Sequence, residues 1–268
     1  MVNKQNNTKY EYSPPLFSRG IFLIQIFLNK YVYDKKTYIL ILISVLPLLT
    51  IGNIHQPGIE DYVDLIGPIS IFTFIIMPLI SLILGVTAIS DEKENKTISQ
   101  LLARPVRREE IVISKWITIM IIGLIITTIN STILYLGFYI LLPGSISLLG
   151  NLSVLLGTWM YLGLWFGVYA TIFLFVGVFL DKNAIGLGLA IAYFEAFFGQ
   201  FIFGAFSGNS PFSVANHIYY IASEFFLSDY ISFNIAKFEP ISSVLVCIGL
   251  VFGFLFLAAF TMRRKDFP

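Results

Sequence analysis

Charge is scarce in this sequence: Asp, Glu, Lys and Arg make up 12% of 268 residues, apolar types make up 57%, and the mean hydropathy is +0.82. A soluble domain carries about 25% charged residues to cover its surface, so the solvent for most of this chain is lipid. Cysteine is nearly absent. Cys247 stands alone in an apolar run, which excludes an intrachain disulfide and reads as a packing residue. Histidine occurs twice, at His55 and His217 on separate outer loops, too thin a set for a metal site, and none is expected. A Gly-x-x-x-x-Gly-Lys-Ser/Thr phosphate cradle is missing, so the chain has no visible means of hydrolysing ATP. The net charge of +1 gives no basic field for nucleic acid. The stretch Met1 to Ser13 is polar and no short apolar core with a small-residue cleavage site follows it, so no cleavable signal is expected.

What is present is a set of long apolar runs. A helix needs about 20 apolar residues to cross roughly 30 Å of hydrocarbon. Six stretches qualify: Tyr38 to Ile54, Leu65 to Ser90, Trp116 to Leu142, Leu152 to Leu180, Ala184 to Phe206 and Ile241 to Met262. They are continuously apolar rather than alternating, which predicts helices and not barrel strands. All but Lys237 of the 17 basic residues then fall on one side, and basic loops stay in the cytoplasm. The expected architecture is all-α: six transmembrane helices in a single transmembrane domain over residues 1–268, in the cell membrane, with both termini cytoplasmic. Residues 1–36 form its cytoplasmic and interfacial start, 37–262 the six-span bundle, and 263–268 a cytoplasmic tail.

Leu16 to Tyr33 competes as a seventh span, but Arg19, Gln25, Asn29 and Lys30 interrupt it. It reads as an amphipathic helix on the inner membrane surface, with Phe22, Leu23 and Ile26 turned toward acyl chains. The segment between spans five and six, including His217, Ile218 and Ile221, is expected as short helices resting on the outer leaflet. Gly163-x-x-x-Gly167 and Gly249-x-x-x-Gly253 are expected to pack within the bundle. Pro47, Pro68 and Pro78 are expected to kink spans one and two.

One acid lies inside a span. Glu195 either lines a transport pathway or is protonated and bonded to a neighbouring helix. The spans offer no His pair, Asp dyad or metal-ligand spacing, which argues against an integral membrane enzyme. They also lack ionisable residues in matching halves, which argues against an ion-coupled secondary transporter.

The loop between spans two and three is dense in charge of both signs, and Pro105 predicts a helix, a break and a second helix. Glu109 and Glu110 suit the first turn of that second helix and Lys115 a later one. In order along the loop stand Glu92, Glu94, Thr97, Leu101, Leu102, Pro105, Arg108, Ile111 and Lys115. This order resembles the cytoplasmic loop of the type 2 permeases of ABC transporters, whose pattern runs Glu-x-Glu-x-Gly-Thr, Leu-Leu, Pro, Arg-x-x-Ile and Lys. Lys96 departs from it where the family usually has Gly. The resemblance implies a permease subunit of an ATP-driven exporter, with this loop carrying the coupling helix that docks on a separate ABC ATPase subunit. The docking residues it implies are Arg104, Pro105, Arg107, Arg108, Glu109, Glu110 and Ile111, with Val112 adding apolar packing. It further implies a second permease chain, the same or related, and ATP and Mg held by the ATPase rather than by this chain.

Overall fold

The computed structural model describes residues 16–45, 62–95, 97, 106–141, 152–180, 183–197, 214–221 and 240–265. These residues form eight α-helices and no strand. They are α1 (Leu16–Val32), α2 (Lys35–Val45), α3 (Tyr62–Glu94), α4 (Arg108–Leu141), α5 (Leu152–Phe179), α6 (Ala184–Phe197), α7 (Val214–Ile221) and α8 (Pro240–Arg264).

Among the described residues, three helices are long and apolar enough to cross a membrane: α4 over Arg108–Gly137, α5 over Leu155–Phe179 and α8 over Ile241–Arg264. α3, 33 residues long, covers the second predicted span without interruption at Pro68 or Pro78, and α6 is a shorter apolar helix within the fifth. α2 begins the first predicted span, whose remainder, with Pro47, lies outside the described residues. α1 ends within a residue of its predicted boundary, and the Asp34 carboxylate accepts the Lys36 backbone N–H at 3.0 Å, capping the start of α2.

α5 is the hub and touches α3, α4, α6, α7 and α8. Its contact with α3 is the most extensive in the fold, and two glycines permit it. A Cβ on Gly85 would stand 2.8 Å from the Ala170 carbonyl oxygen, and one on Gly177 would stand 2.6 Å from that of Val86. Both obstacles are backbone, so no side-chain rearrangement could relieve them. In lipid, helices associate through such close packing rather than through a hydrophobic drive. Trp116 on α4 adds a cross-brace, donating its indole N–H to Thr171 Oγ1 of α5 at 2.8 Å.

Three expectations meet a different arrangement. Gly163 and Gly167 do face α4, at Leu124 and Met120, but a Cβ on Gly249 or Gly253 would meet nothing within 4 Å. That α8 face, with Ile241, Leu245, Phe252 and Phe256 exposed, looks away from the bundle. α7 is tucked in rather than resting on a surface: Asn216, His217, Ile218 and Ile221 are buried, and His217 Nδ1 lies 3.0 Å from Ser243 Oγ of α8. On α1, Phe22 is exposed as expected, but Leu23 turns inward with Phe27 to pack on Ile111.

Candidate functional site

The charged loop begins where α3 ends and closes where α4 starts, so its two roots lie side by side at one end of the bundle. The residues joining them are described only at Asn95, Thr97, Val106 and Arg107. Leu101, Leu102, Arg104, Pro105 and Lys96 lie outside the described residues.

At the inner side of this end, Lys115 of α4 reaches across to Glu92 of α3, Nζ to Oε1, at 2.5 Å. Both side chains are almost fully buried, 2% and 4% exposed. The same ammonium donates to the Ala88 carbonyl and stands 4.4 Å from the centroid of the Phe27 ring on α1. Removing an ion from water costs several kcal/mol even after relaxation, so a buried ammonium persists only with such partners. The Phe27 face adds up to about 2 kcal/mol when desolvated. Lys30 of α1 approaches Glu92 Oε1 from the exposed side at 3.5 Å. Burial, then the negative charges of Glu92, Asp91 and Asp34, hold the neighbouring Tyr31 hydroxyl well above its ordinary pKa, so it stays neutral. Glu92 also anchors the loop's first turn: its carbonyl accepts the Thr97 N–H at 3.0 Å, with the Thr97 hydroxyl at 3.4 Å. One ion pair thus ties α1, α3 and α4 into one unit at the root of the loop.

Around this centre the helix ends are sewn together. Lys93 donates to the carbonyls of Gly177, Val178 and Leu180 at 2.8, 2.7 and 3.0 Å, and Lys265 to those of Val178 and Phe179 at 3.2 and 2.9 Å. These are the carbonyls that the last turn of α5 leaves without helical partners, at the negative end of its dipole. Lys36 pairs with Asp91 at 2.6 Å.

The outer rim belongs to the start of α4. Arg107 is exposed and occupies the N-cap position. Glu110 returns a carboxylate oxygen to the Arg107 N–H at 3.4 Å, half of a capping box, and Glu109 and Glu110 sit in the first turn as predicted. Arg108 donates to the carbonyls of Lys265 at 2.5 Å and Arg263 at 3.4 Å, closing the end of α8. Glu109 faces Arg263 at 3.6 Å, an open pair with Arg263 74% exposed.

Of the residues singled out in the sequence, the fold joins Glu92, Thr97 and Lys115 in the inner cluster and Arg107, Arg108, Glu109 and Glu110 on the rim. Glu94 is exposed at the last turn of α3. Ile111 and Val112, expected to carry packing onto a partner, are buried in this chain, Ile111 against Leu23 and Phe27. Their position one turn into α4 turns them toward α1 and the core. Glu195 lies within α6, apart from this end, and its side chain is outside the described ones. Sequence reasoning missed Lys30, Phe27, Lys93 and Lys265. Basic residues in a helix's last turn are expected to serve that helix, whereas Lys93 and Lys265 serve α5, and only the packing reveals it.

A family model described as ABC-2 family transporter protein matches residues 6–223. The chain belongs to the ABC-2 transporter family. The ABC-2 match takes in α1 through α7 and the whole charged loop, so Glu92, Lys115 and the Arg107–Glu110 turn all fall inside it. It also agrees with the apolar helices in placing this ABC-2 chain in a membrane. No curated protein matches the chain significantly.

Proposed function

We propose that this chain is the transmembrane permease subunit of an ATP-driven ABC exporter, with six spans, both termini in the cytoplasm and the charged end facing an ABC ATPase. Membership of the ABC-2 family supports the permease role. The observation that carries the coupling role is the division of the loop's charges: Glu92 and Lys115 are locked inside, while Arg107 is free at the surface beside Arg108, Glu109 and Glu110. Rim charges of mixed sign fix orientation and register on a partner, and each contributes little energy alone. Arg104 and Pro105 belong to the same docking segment.

In this reading the ATPase binds ATP and Mg, closes, and pushes on the segment between α3 and α4. The Glu92–Lys115 pair, with Lys30 and Phe27 of α1, makes the three helices respond as one body, a rigid-body switch of the bundle. Two permease chains, the same or related, enclose the path. Glu195 in α6 either faces that path or bonds to a neighbouring helix; Glu195→Gln changes transport rate or substrate range only in the first case.

The test is reconstitution with the cognate ABC ATPase. The two subunits are expected to purify together and hydrolyse ATP, and Arg107→Glu to weaken their association. A chain that transports without any ATPase would overturn the reading.

A further inference from the structure

α8 leaves most of its membrane-crossing surface unpacked, so its placement rests on few side chains, Ala258 and Met262 among them, both fully buried. Three residues past Met262, Lys265 continues the helical bonding, its N–H donating to the Thr261 carbonyl at 3.0 Å. Its side chain and its own carbonyl then lead to two different helices. Nζ donates to the Val178 and Phe179 carbonyls at the end of α5, at 3.2 and 2.9 Å. The Lys265 carbonyl accepts from Arg108 Nη1 at 2.5 Å, and the same nitrogen reaches the Arg263 carbonyl at 3.4 Å. Lys265 is therefore a bridge between the hub helix and the first turn of α4.

That turn is the rim. Arg108 stays partly exposed while its Nη1 is held. A guanidinium is planar, so acceptors on one nitrogen set the direction in which the rest of its fork points, and a carboxylate takes that fork in a fixed geometry. A long side chain that is already held loses less freedom when a partner binds it. Glu109, the next residue, faces Arg263 at 3.6 Å, so the last turn of α8 steadies two neighbouring charges of the rim. Residues 263–265 lie outside the matched stretch 6–223. A segment beyond the family match thus sets the geometry of a turn inside it.

We infer that Lys265 is a positioning residue for recognition of the ATPase: it anchors the end of α8 on α5, so that the Arg263 and Lys265 carbonyls aim the Arg108 guanidinium at a carboxylate of the partner. This rests on the docking role proposed for the rim and adds what orients it. Lys265 acts through Arg108 and makes no contact with the ATPase itself.

The experiment measures the affinity of the full-length chain, in lipid nanodiscs, for its cognate ABC ATPase, together with the unfolding midpoint of each variant. Lys265→Met should weaken binding about fivefold. Its midpoint should stay at the wild-type value, because Lys93 still donates to the Gly177, Val178 and Leu180 carbonyls at the end of α5. Lys265→Arg keeps a cationic donor of similar reach and should bind like wild type. A double-mutant cycle separates positioning from direct contact. In an Arg108→Met background, Lys265→Met should cost no further affinity, whereas in an Arg107→Glu background it should cost the same factor as in wild type. Wild-type affinity in Lys265→Met, while Arg107→Glu binds weakly, would overturn the inference and leave the docking role standing. So would a Lys265→Met loss that persists in full without Arg108, or one that follows a lowered midpoint and is not restored by Lys265→Arg. If neither Arg107→Glu nor Arg108→Met weakens binding, the docking role itself falls and the inference with it.

Discussion

The loop's charges divide into an inner pair and an outer rim that differ in almost every physical respect. Glu92 and Lys115 are nearly sealed from solvent and joined at 2.5 Å, whereas Glu109 and Arg263 are 3.6 Å apart with Arg263 74% exposed. In a sequence the four look alike, each a charge near the end of an apolar run. Burial separates them: the inner pair must stay matched because a lone buried ion is prohibitive, while the rim pair is screened and replaceable. The comparison teaches that one short loop holds two devices, a fixed root and an adaptable face.

The sharpest way to break that contrast is Lys115→Met, which leaves the buried Glu92 with only the half-exposed Lys30, at 3.5 Å. It should cost about 3–5 kcal/mol of stability, read as the shift in an unfolding titration of the purified protein in mixed micelles. Adding Glu92→Met should recover most of the loss, since removing both charges is far less harmful than removing one. If the single variant unfolds like wild type, the inner pair is no root.

Gly177→Ala asks whether the helix beneath the root has any slack. Its new Cβ would press on Val86 backbone, and overpacking of this kind costs about 1–3 kcal/mol. The same titration reads it, and a Gly249→Ala control on the open face of α8 should change stability far less.

Glu109→Gln should have the smallest effect. An exposed pair contributes at most about 1 kcal/mol, and the difference should vanish on raising salt from 0.05 to about 1 M, where screening reaches roughly 3 Å. A salt-independent loss would move Glu109 from the rim to the interior.

Much of the architecture is legible in the residues themselves. α5 and α8 fall within two residues of their predicted limits, because a continuous apolar run bounded by polar residues marks its own ends. Glu109 and Glu110 announced the first turn of α4, and α1 appeared where Arg19, Gln25, Asn29 and Lys30 break an apolar run. What hydropathy could not reveal is position in the bundle. The most apolar stretches of α5 and α8 have similar hydropathy, 2.1 and 2.7, yet 78% of one is buried against 11% of the other. In lipid both environments are apolar, so composition does not distinguish a core helix from a lipid-facing one. Close approach of backbones did not follow the Gly-x-x-x-Gly spacing either, since the nearest backbone obstacles stand at the isolated Gly85 and Gly177. Pairing of Glu92 with Lys115 spans 23 residues and depends on α3 and α4 lying side by side, which no local pattern encodes.

The central claim is that the rim meets the ATPase while the inner pair holds the rim in place. Arg107→Glu tests it most directly, because Arg107 is exposed and its side chain can be changed without touching the root. The measurement is the affinity of the purified variant for its cognate ABC ATPase, alongside its unfolding midpoint. The account predicts about tenfold weaker binding, roughly 1.4 kcal/mol, with stability within about 0.5 kcal/mol of wild type. Unchanged affinity at unchanged stability would contradict it.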